Sequence, residues 1–189
     1  MPDIFEDKGF EKVNNSLYPI AKGEYENCTF SDCDFSNTDL SNFVFTDCTF
    51  TNCNLSMVKL KNTALKGVMF ENCKMLGVIF TDCNPFLLAV SFDDCYLNVA
   101  SFYKVKLKGT TFKNVSLHEA DFTEADLTGA IFNDCDLTHA IFENTILEKA
   151  DLRGAHNYSI DPEINRLKKA KFSAFGIAGL LHKYDIIIE

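Results

Sequence analysis

From Tyr25 to Leu152 the chain repeats one hydrophobic pattern. Every fifth residue is large and apolar, as in Tyr25, Phe30, Phe35, Leu40, Phe45 and Phe50, and the series continues to Phe80. After one slip it resumes at Phe92 and runs through Leu97, Phe102, Leu107 and Phe112 to Leu152. Two places before each of these stands a second, mostly small residue: Cys28, Cys33, Thr38, Cys48, Ala100, Ala120, Ala125, Ala130. Ser, Thr, Asn, Asp, Lys and Glu fill the positions between, which makes them a solvated face. A period of five matches neither the 3.6 of an α-helix nor the 2 of a strand. The period therefore requires an architecture of its own.

The pentads resemble those of a known family. Cys33-Asp34-Phe35-Ser36-Asn37, Ala120-Asp121-Phe122-Thr123-Glu124, Ala125-Asp126-Leu127-Thr128-Gly129 and Ala150-Asp151-Leu152-Arg153-Gly154 are similar to the repeating unit of pentapeptide repeat proteins. That resemblance implies an all-β, right-handed quadrilateral β-helix: a pentapeptide-repeat solenoid with one pentad per side and twenty residues per coil. Coils at the strand spacing of ~4.8 Å would make a rod roughly 30 Å long from the clean repeats. A four-sided coil also predicts that residues twenty apart share a wall. Cys33, Cys53 and Cys73 are so spaced, as are Cys28 and Cys48. If the slip between Phe80 and Phe92 loops out two residues, Cys95 extends the first column, with Val115 and Cys135 beyond it.

The chain reads as a single domain over 1–189, with the solenoid at 23–156, an N-terminal cap at 1–22 and an α-helical C-terminal cap and tail at 157–189. A stacked repeat exposes the backbone of its end coils, so both ends need covers. In the first segment Asn14-Asn15-Ser16 reads as a turn, with Phe10 and Val13 inward. In the last, Asp161-Pro162-Glu163 opens a helix with an N-cap, a proline at the first position and an acid at the positive dipole end. Phe172, twenty residues after Leu152, marks one more repeat. A second helix over 174–183 would bury Phe175, Ile177, Leu180 and Leu181, and a strand with Ile186, Ile187 and Ile188 would end the chain. The same apolar residues are the candidate contacts of a homodimer, since relatives of this kind dimerise through an apolar C-terminal segment.

Two departures interrupt the solenoid. Phe43 occupies a small slot, so its ring must displace the wall or turn out. Asn84-Pro85-Phe86-Leu87-Leu88-Ala89 adds two residues and a proline that cannot donate to an inter-coil ladder. The segment is either a tolerated bulge or a protruding loop that contacts a partner, because Phe86, Leu87 and Leu88 cannot all face inward.

Composition narrows the function. Eighteen Lys and Arg against twenty-seven Asp and Glu give a formal net charge of −9, which argues against direct binding of nucleic acid or an anionic membrane. The charge is uneven: Lys59, Lys61, Lys66 and Lys74 form one basic band, Lys104, Lys106, Lys108 and Lys113 a second, and the stretch from Val115 to Ala155 is acidic. No apolar run is long enough to span a bilayer, and the first residues carry no secretory signal. The eight cysteines contain no Cys-x-x-Cys, and seven sit in small inward slots, as Cys83 would if the first register ran on to Pro85, so they read as compact core residues in a reducing, cytoplasmic setting. His118, His139, His156 and His182 share no local metal spacing, and no nucleotide or nucleophile motif occurs. No catalytic residue, metal or cofactor is expected. The expected role is a non-enzymatic interaction or scaffold module for a protein partner that the sequence does not name. The family resemblance implies an alternative, a DNA-mimicking binder of DNA gyrase or topoisomerase IV that protects against quinolones.

Overall fold

The computed structural model describes residues 3–187. It is a parallel β-solenoid of about eight turns with four walls. The walls are built from strand segments of two to four residues, each hydrogen-bonded to the same wall of the next coil at an offset of twenty residues. Phe10 pairs with Phe30, Phe30 with Phe50 and Phe50 with Phe70, and the offset becomes twenty-two where Phe70 pairs with Phe92. That single step is the slip in the sequence beat, and above it the twenty-residue offset resumes at Phe92 and Phe112.

The four walls differ in what fills them. One carries nine strand layers, the longest stack in the molecule. Its inward residues Phe10, Phe30, Phe50, Phe70, Phe92, Phe112 and Phe132 stack ring on ring at 4.5–5.5 Å. This phenylalanine wall is followed in the chain by the thiol wall, where Cys33, Cys53, Cys73, Cys95 and Cys135 lie in one column with Val115. The fourth wall comes next, with Phe80, Phe102, Phe122 and Phe142 stacked at 4.7–5.1 Å. The remaining wall, which opens each coil, carries the insertion. Each buried large side chain is worth about 1.5–3 kcal/mol by transfer, and stacked rings add about 0.5–1.5 kcal/mol per pair. These buried side chains form one continuous core along the rod.

The corners explain the polar residues of the repeat. The second residue after most of the large ones adopts the left-handed conformation, as at Asn27, Asp32, Asn37, Asn42, Asn52 and Asn62. Asn and Asp tolerate that region better than other non-glycine residues. They also stack: Asn52 Nδ2 donates to Asp32 Oδ1 at 3.1 Å, Asn72 Nδ2 to Asn52 Oδ1 at 2.8 Å, and Asn62 Nδ2 to Asn42 Oδ1 at 3.1 Å.

Phe43 is accommodated inside, buried and stacked near-parallel on Tyr25 and Phe45. The register places Gly23 one coil below it, where the absent Cβ leaves room for the Asp3 carbonyl and the Phe5 ring of the first coil.

Residues 3–22 make a further coil: Asp3–Glu6 and Gly9–Glu11 pair in register with Gly23–Glu26 and Thr29–Ser31. Phe10 and Val13 do pack against the core. The beat is hidden there because Asn15 holds a large inward position, buried, with its Oδ1 accepting from Ile20 N at 2.8 Å.

The C-terminal end departs from the cap expected of it, and neither α-helix forms. Residues 161–169 continue the solenoid instead: Leu147 N donates to Arg166 O at 2.8 Å and Lys149 N to Lys168 O at 2.9 Å. Asp161 Oδ1 accepts from Glu163 N at 2.8 Å, which closes a local turn in place of a helix cap. Leu152 pairs with Phe172, so the extra repeat is present. Beyond it lie two short 3-10 turns, Ile177–Leu180 and His182–Tyr184. Gly176 and Gly179 disfavour an α-helix here, and the segment instead lies across the open end, with Ile160 N donating to Gly179 O at 2.9 Å. Phe175, wholly exposed, and Ile177, 53% exposed, are therefore not buried as a helix face would bury them. Leu180 packs on the core and Leu181 is half-buried. Ile186 and Ile187 are exposed and lie outside any strand, and Ile188 lies outside the described residues.

Candidate interaction surface

The insertion lies on the wall that opens the fifth coil. Its ends are tied to the coil below, with Asn84 N donating to Thr63 O and Ala89 N to Leu65 O, both at 2.9 Å. Phe86 N donates to Asn84 Oδ1 at 2.9 Å, which turns the chain outward just after Pro85. Phe86 and Leu87 are 67% and 62% exposed, while Leu88 tucks against the core. Leu87 has φ 57°, a left-handed conformation that is strained for a bulky residue. Beside the loop is a cavity of about 230 Å³ lined in part by Phe80, Cys83, Pro85, Leu88, Tyr103 and Val105. The sequence identified this loop correctly as the place where three apolar residues cannot all turn inward. The adjoining cavity was not legible, because Tyr103 and Val105 come one coil later.

The C-terminal segment presents the second apolar surface, through Phe175, Ile177, Ile186 and Ile187. Tyr158 lies under it with its hydroxyl buried and unpartnered. Tyr158 has turned inward next to Asn157, which is exposed although the beat assigns it the inward slot.

Four of the nine carboxylates of the acidic stretch meet a lysine or arginine. Lys104 Nζ lies 3.4 Å from Glu124, Lys108 Nζ 3.1 Å from Asp126 and Arg166 Nη2 2.5 Å from Glu148. Asp151 meets Arg153 at 2.7 Å and Lys171 at 3.5 Å. Such exposed pairs contribute little to stability, but they interrupt the negative field the sequence suggested. Asp136 is a separate case that the sequence did not reveal. His118 Nε2 is 2.7 Å from its Oδ2 and His156 Nε2 is 3.9 Å away, brought in from the coils on either side. Partial burial raises the Asp136 pKa, but hydrogen bonds from Thr138, Asn157 and His118 outweigh it and hold the carboxyl well below its usual range.

Among the described residues, no group of three or more His, Cys, Asp or Glu is placed to hold a metal ion, and no helix is long and apolar enough to cross a membrane. All eight cysteines are free and buried. Cys33, Cys53, Cys73 and Cys95 each place Sγ 3.3–3.4 Å from a carbonyl oxygen of the coil below. The thiols act as small core residues with weak donors.

A chain of twenty-residue coils, each pentad turning one corner, defines a repeat solenoid. The chain matches the pentapeptide repeat region over residues 24–85 and 78–152, and it belongs to the pentapeptide repeat family. No curated protein sequence matches it. Among solved structures, it resembles a trypsin-treated variant of QnrB1, a plasmid-mediated fluoroquinolone resistance protein, with a TM-score of 0.65 and 19% identity over 100% of this chain and 99% of that one. A second trypsin-treated QnrB1 variant gives 0.60 and 20% identity, again over 100% and 99%. HetL, a pentapeptide repeat protein involved in heterocyst differentiation regulation in Nostoc sp. strain PCC 7120, gives 0.44 and 16% over 90% and 83%. At these identities the likeness is one of fold.

Proposed function

We propose that this chain is a non-enzymatic interaction module, a rigid rod that binds a protein partner in the cytoplasm through its insertion. The observation that supports this most is the pair Phe86 and Leu87, held in water at 67% and 62% exposure on a loop hydrogen-bonded at both ends. A loop that carried no contact would gain by being polar. The continuous core leaves interaction to the surface, and the eight buried free thiols suit a reducing compartment. The test replaces Phe86 with a photo-crosslinking phenylalanine analogue in the producing cell. A discrete crosslinked partner, lost from pull-downs by Phe86→Ser with Leu87→Ser, is the expected result. Pull-down partners that remain bound to the double variant would remove the loop from the account.

A second reading is a DNA-mimicking ligand of DNA gyrase or topoisomerase IV that gives quinolone protection. It is favoured by the match to QnrB1 over essentially the whole of both chains. It is weakened by the lysine bands and by the cations that answer Glu124, Asp126, Glu148 and Asp151. Gyrase supercoiling with and without ciprofloxacin decides it: the purified chain must shift either activity or drug sensitivity.

A further inference from the structure

At one corner of the rod the left-handed position is held in two coils by large apolar residues, where other corners carry Asn, Asp, Gly, Lys or Glu. At the corner between the thiol wall and the fourth wall, the left-handed position is held by Asn37, Met57, Gly77, Val99, Glu119 and His139 in successive coils. Left-handed backbone suits Asn, Asp and Gly, and a β-branched residue there is an outlier. Val99 nevertheless adopts φ 59° and Met57 φ 57°, with 60% and 58% of their surfaces in water. Neither strain nor exposure is compensated within the chain. Between them Leu76 is 42% exposed, and Ile79, the next outward residue on the fourth wall, is 49% exposed.

These side chains form one patch because the coils stack in register. Met57 N donates to Leu76 O at 2.8 Å, and Gly77 N donates to Asn98 O at 3.0 Å, immediately before Val99. A Cβ on Gly77 would lie 2.5 Å from Met57 Sδ, so the Met57 side chain rests on the glycine of the coil above. The patch thus covers one corner of the third, fourth and fifth coils. Along the chain, the fourth wall leads from that corner straight to the insertion, whose Phe86 and Leu87 emerge on the following wall. Two independent departures from the repeat, strained apolar corners and an apolar insertion, therefore flank the same wall at the same height.

The charge of that wall differs from the rest of the molecule. Residues 56–62, 76–82 and 98–104, which make the wall and its corners in these coils, contain Lys59, Lys61 and Lys104 against one carboxylate, Asp82. The whole chain has a formal net charge of −9. Lys104 shares its charge with Glu124, whereas Lys59 and Lys61 stand two coils below it. An apolar strip with a cationic margin is complementary to a ligand of the opposite sign with apolar side chains of its own.

We propose that the fourth wall of the third to fifth coils is a docking face for an acidic segment of a partner protein. Its apolar side chains would seat on Met57, Leu76, Ile79 and Val99, and its carboxylates beside Lys59 and Lys61. This rests on the reading of the chain as a protein-binding rod and adds to it where the partner lies and what its chemistry is. The partner's apolar contacts are what make strained, water-exposed valine and methionine useful at positions where asparagine would fit better.

The test is selection of a random peptide library displayed on phage against the full chain, followed by affinity measurement of the enriched peptides. Enriched peptides rich in Asp and Glu interspersed with large apolar residues are expected. Their affinity should fall about tenfold or more with Val99→Asn or with Lys59→Glu and Lys61→Glu, and should weaken as salt is raised. Val99→Asn is the informative variant, because it relieves backbone strain and so cannot lose binding by unfolding; its thermal midpoint is measured alongside. Enriched peptides that bind Val99→Asn as tightly as the native chain but lose binding to Phe86→Ser with Leu87→Ser would overturn this face while leaving the insertion as the contact. Enriched peptides without an excess of acids would overturn the charge assignment and with it the proposal. A selection that enriches nothing would count against both this face and the protein-binding reading.

Discussion

Burial sets the chemistry of the thiols one by one. Burial raises Cys33 and Cys48 from 9.0 up to about 11, and Cys83 and Cys135 up to about 12. In the folded state the protonated form is favoured, so the stability these groups contribute is fully present below pH 9.0 and is lost as pH rises toward 11 and 12. The fall is ~1.4 kcal/mol per pH unit for each thiol that ionises only on unfolding. Urea unfolding at pH 8 and pH 10 measures it, and Cys83→Val with Cys135→Val should flatten the dependence. Thiol reagents at neutral pH should leave the native chain almost unlabelled and label it fully in denaturant. The corner residues act independently. Val99→Asn removes a left-handed β-branched residue and should raise stability by ~1 kcal/mol. The reverse change, Asn52→Val, should cost at least as much, since it also breaks the ladder to Asp32 and Asn72. A Val99→Asn variant that melts lower than the native chain would overturn the strain argument.

The elements at the C-terminal end show where a local signal misleads. Asp161-Pro162-Glu163 carries every mark of a helix start, yet a coil of the solenoid offers its backbone partners on the preceding coil, and those inter-coil bonds prevail. An isolated short helix is marginal in water, whereas each pentad added to the stack gains a parallel ladder and a buried pair. The terminal segment depends on one close approach. Gly179 lies over Tyr158 so tightly that a Cβ would sit 2.4 Å from Tyr158 O. Gly179→Ala should cost ~1–3 kcal/mol locally by overpacking. Hydrogen exchange at the Ile160 amide, which donates to Gly179 O, reports it, while amides of the phenylalanine wall stay protected. Tyr158→Phe should be neutral or stabilising, because the hydroxyl is buried without a partner. Protection at Ile160 unchanged by Gly179→Ala would show that the segment does not depend on this contact.

At the scale of the molecule the chain is a stack whose coils touch only their neighbours, so its ends and irregularities are free to specialise without disturbing the middle. Nine strand layers at ~4.8 Å give a rod of roughly 40 Å, longer than the clean repeats alone imply, because the first coil and the last repeat also stack. Its C-terminal end leaves Phe175, Ile177 and Ile187 in water at 100%, 53% and 87% exposure. Sedimentation should find the chain self-associated through that end and should find a monomer after Phe175→Ser, Ile177→Ser and Ile187→Ser. A native chain that sediments as a monomer at high concentration would exclude the dimer.

The sequence by itself determined the architecture. A five-residue beat repeated over 130 residues carries the family resemblance, and once that resemblance implies four sides per coil, the twenty-residue columns, the thiol ladder and the looped-out pair near Pro85 follow from counting. It did not reveal what happens where a residue's partner lies a coil away. Asn15 hid the first coil because its amide bonds to Ile20 in place of a buried hydrocarbon. Phe43 turns inward to stack on Tyr25, which lies one coil below. His118 and His156 meet Asp136, and the acids of the last coils meet their cations, only after stacking brings positions about eighteen to twenty residues apart into contact. Side chains inside one pentad obey its local geometry, which a linear reading captures. Charge pairing, exposed patches and end structure depend on which coil lies above and below, and only the folded stack decides that.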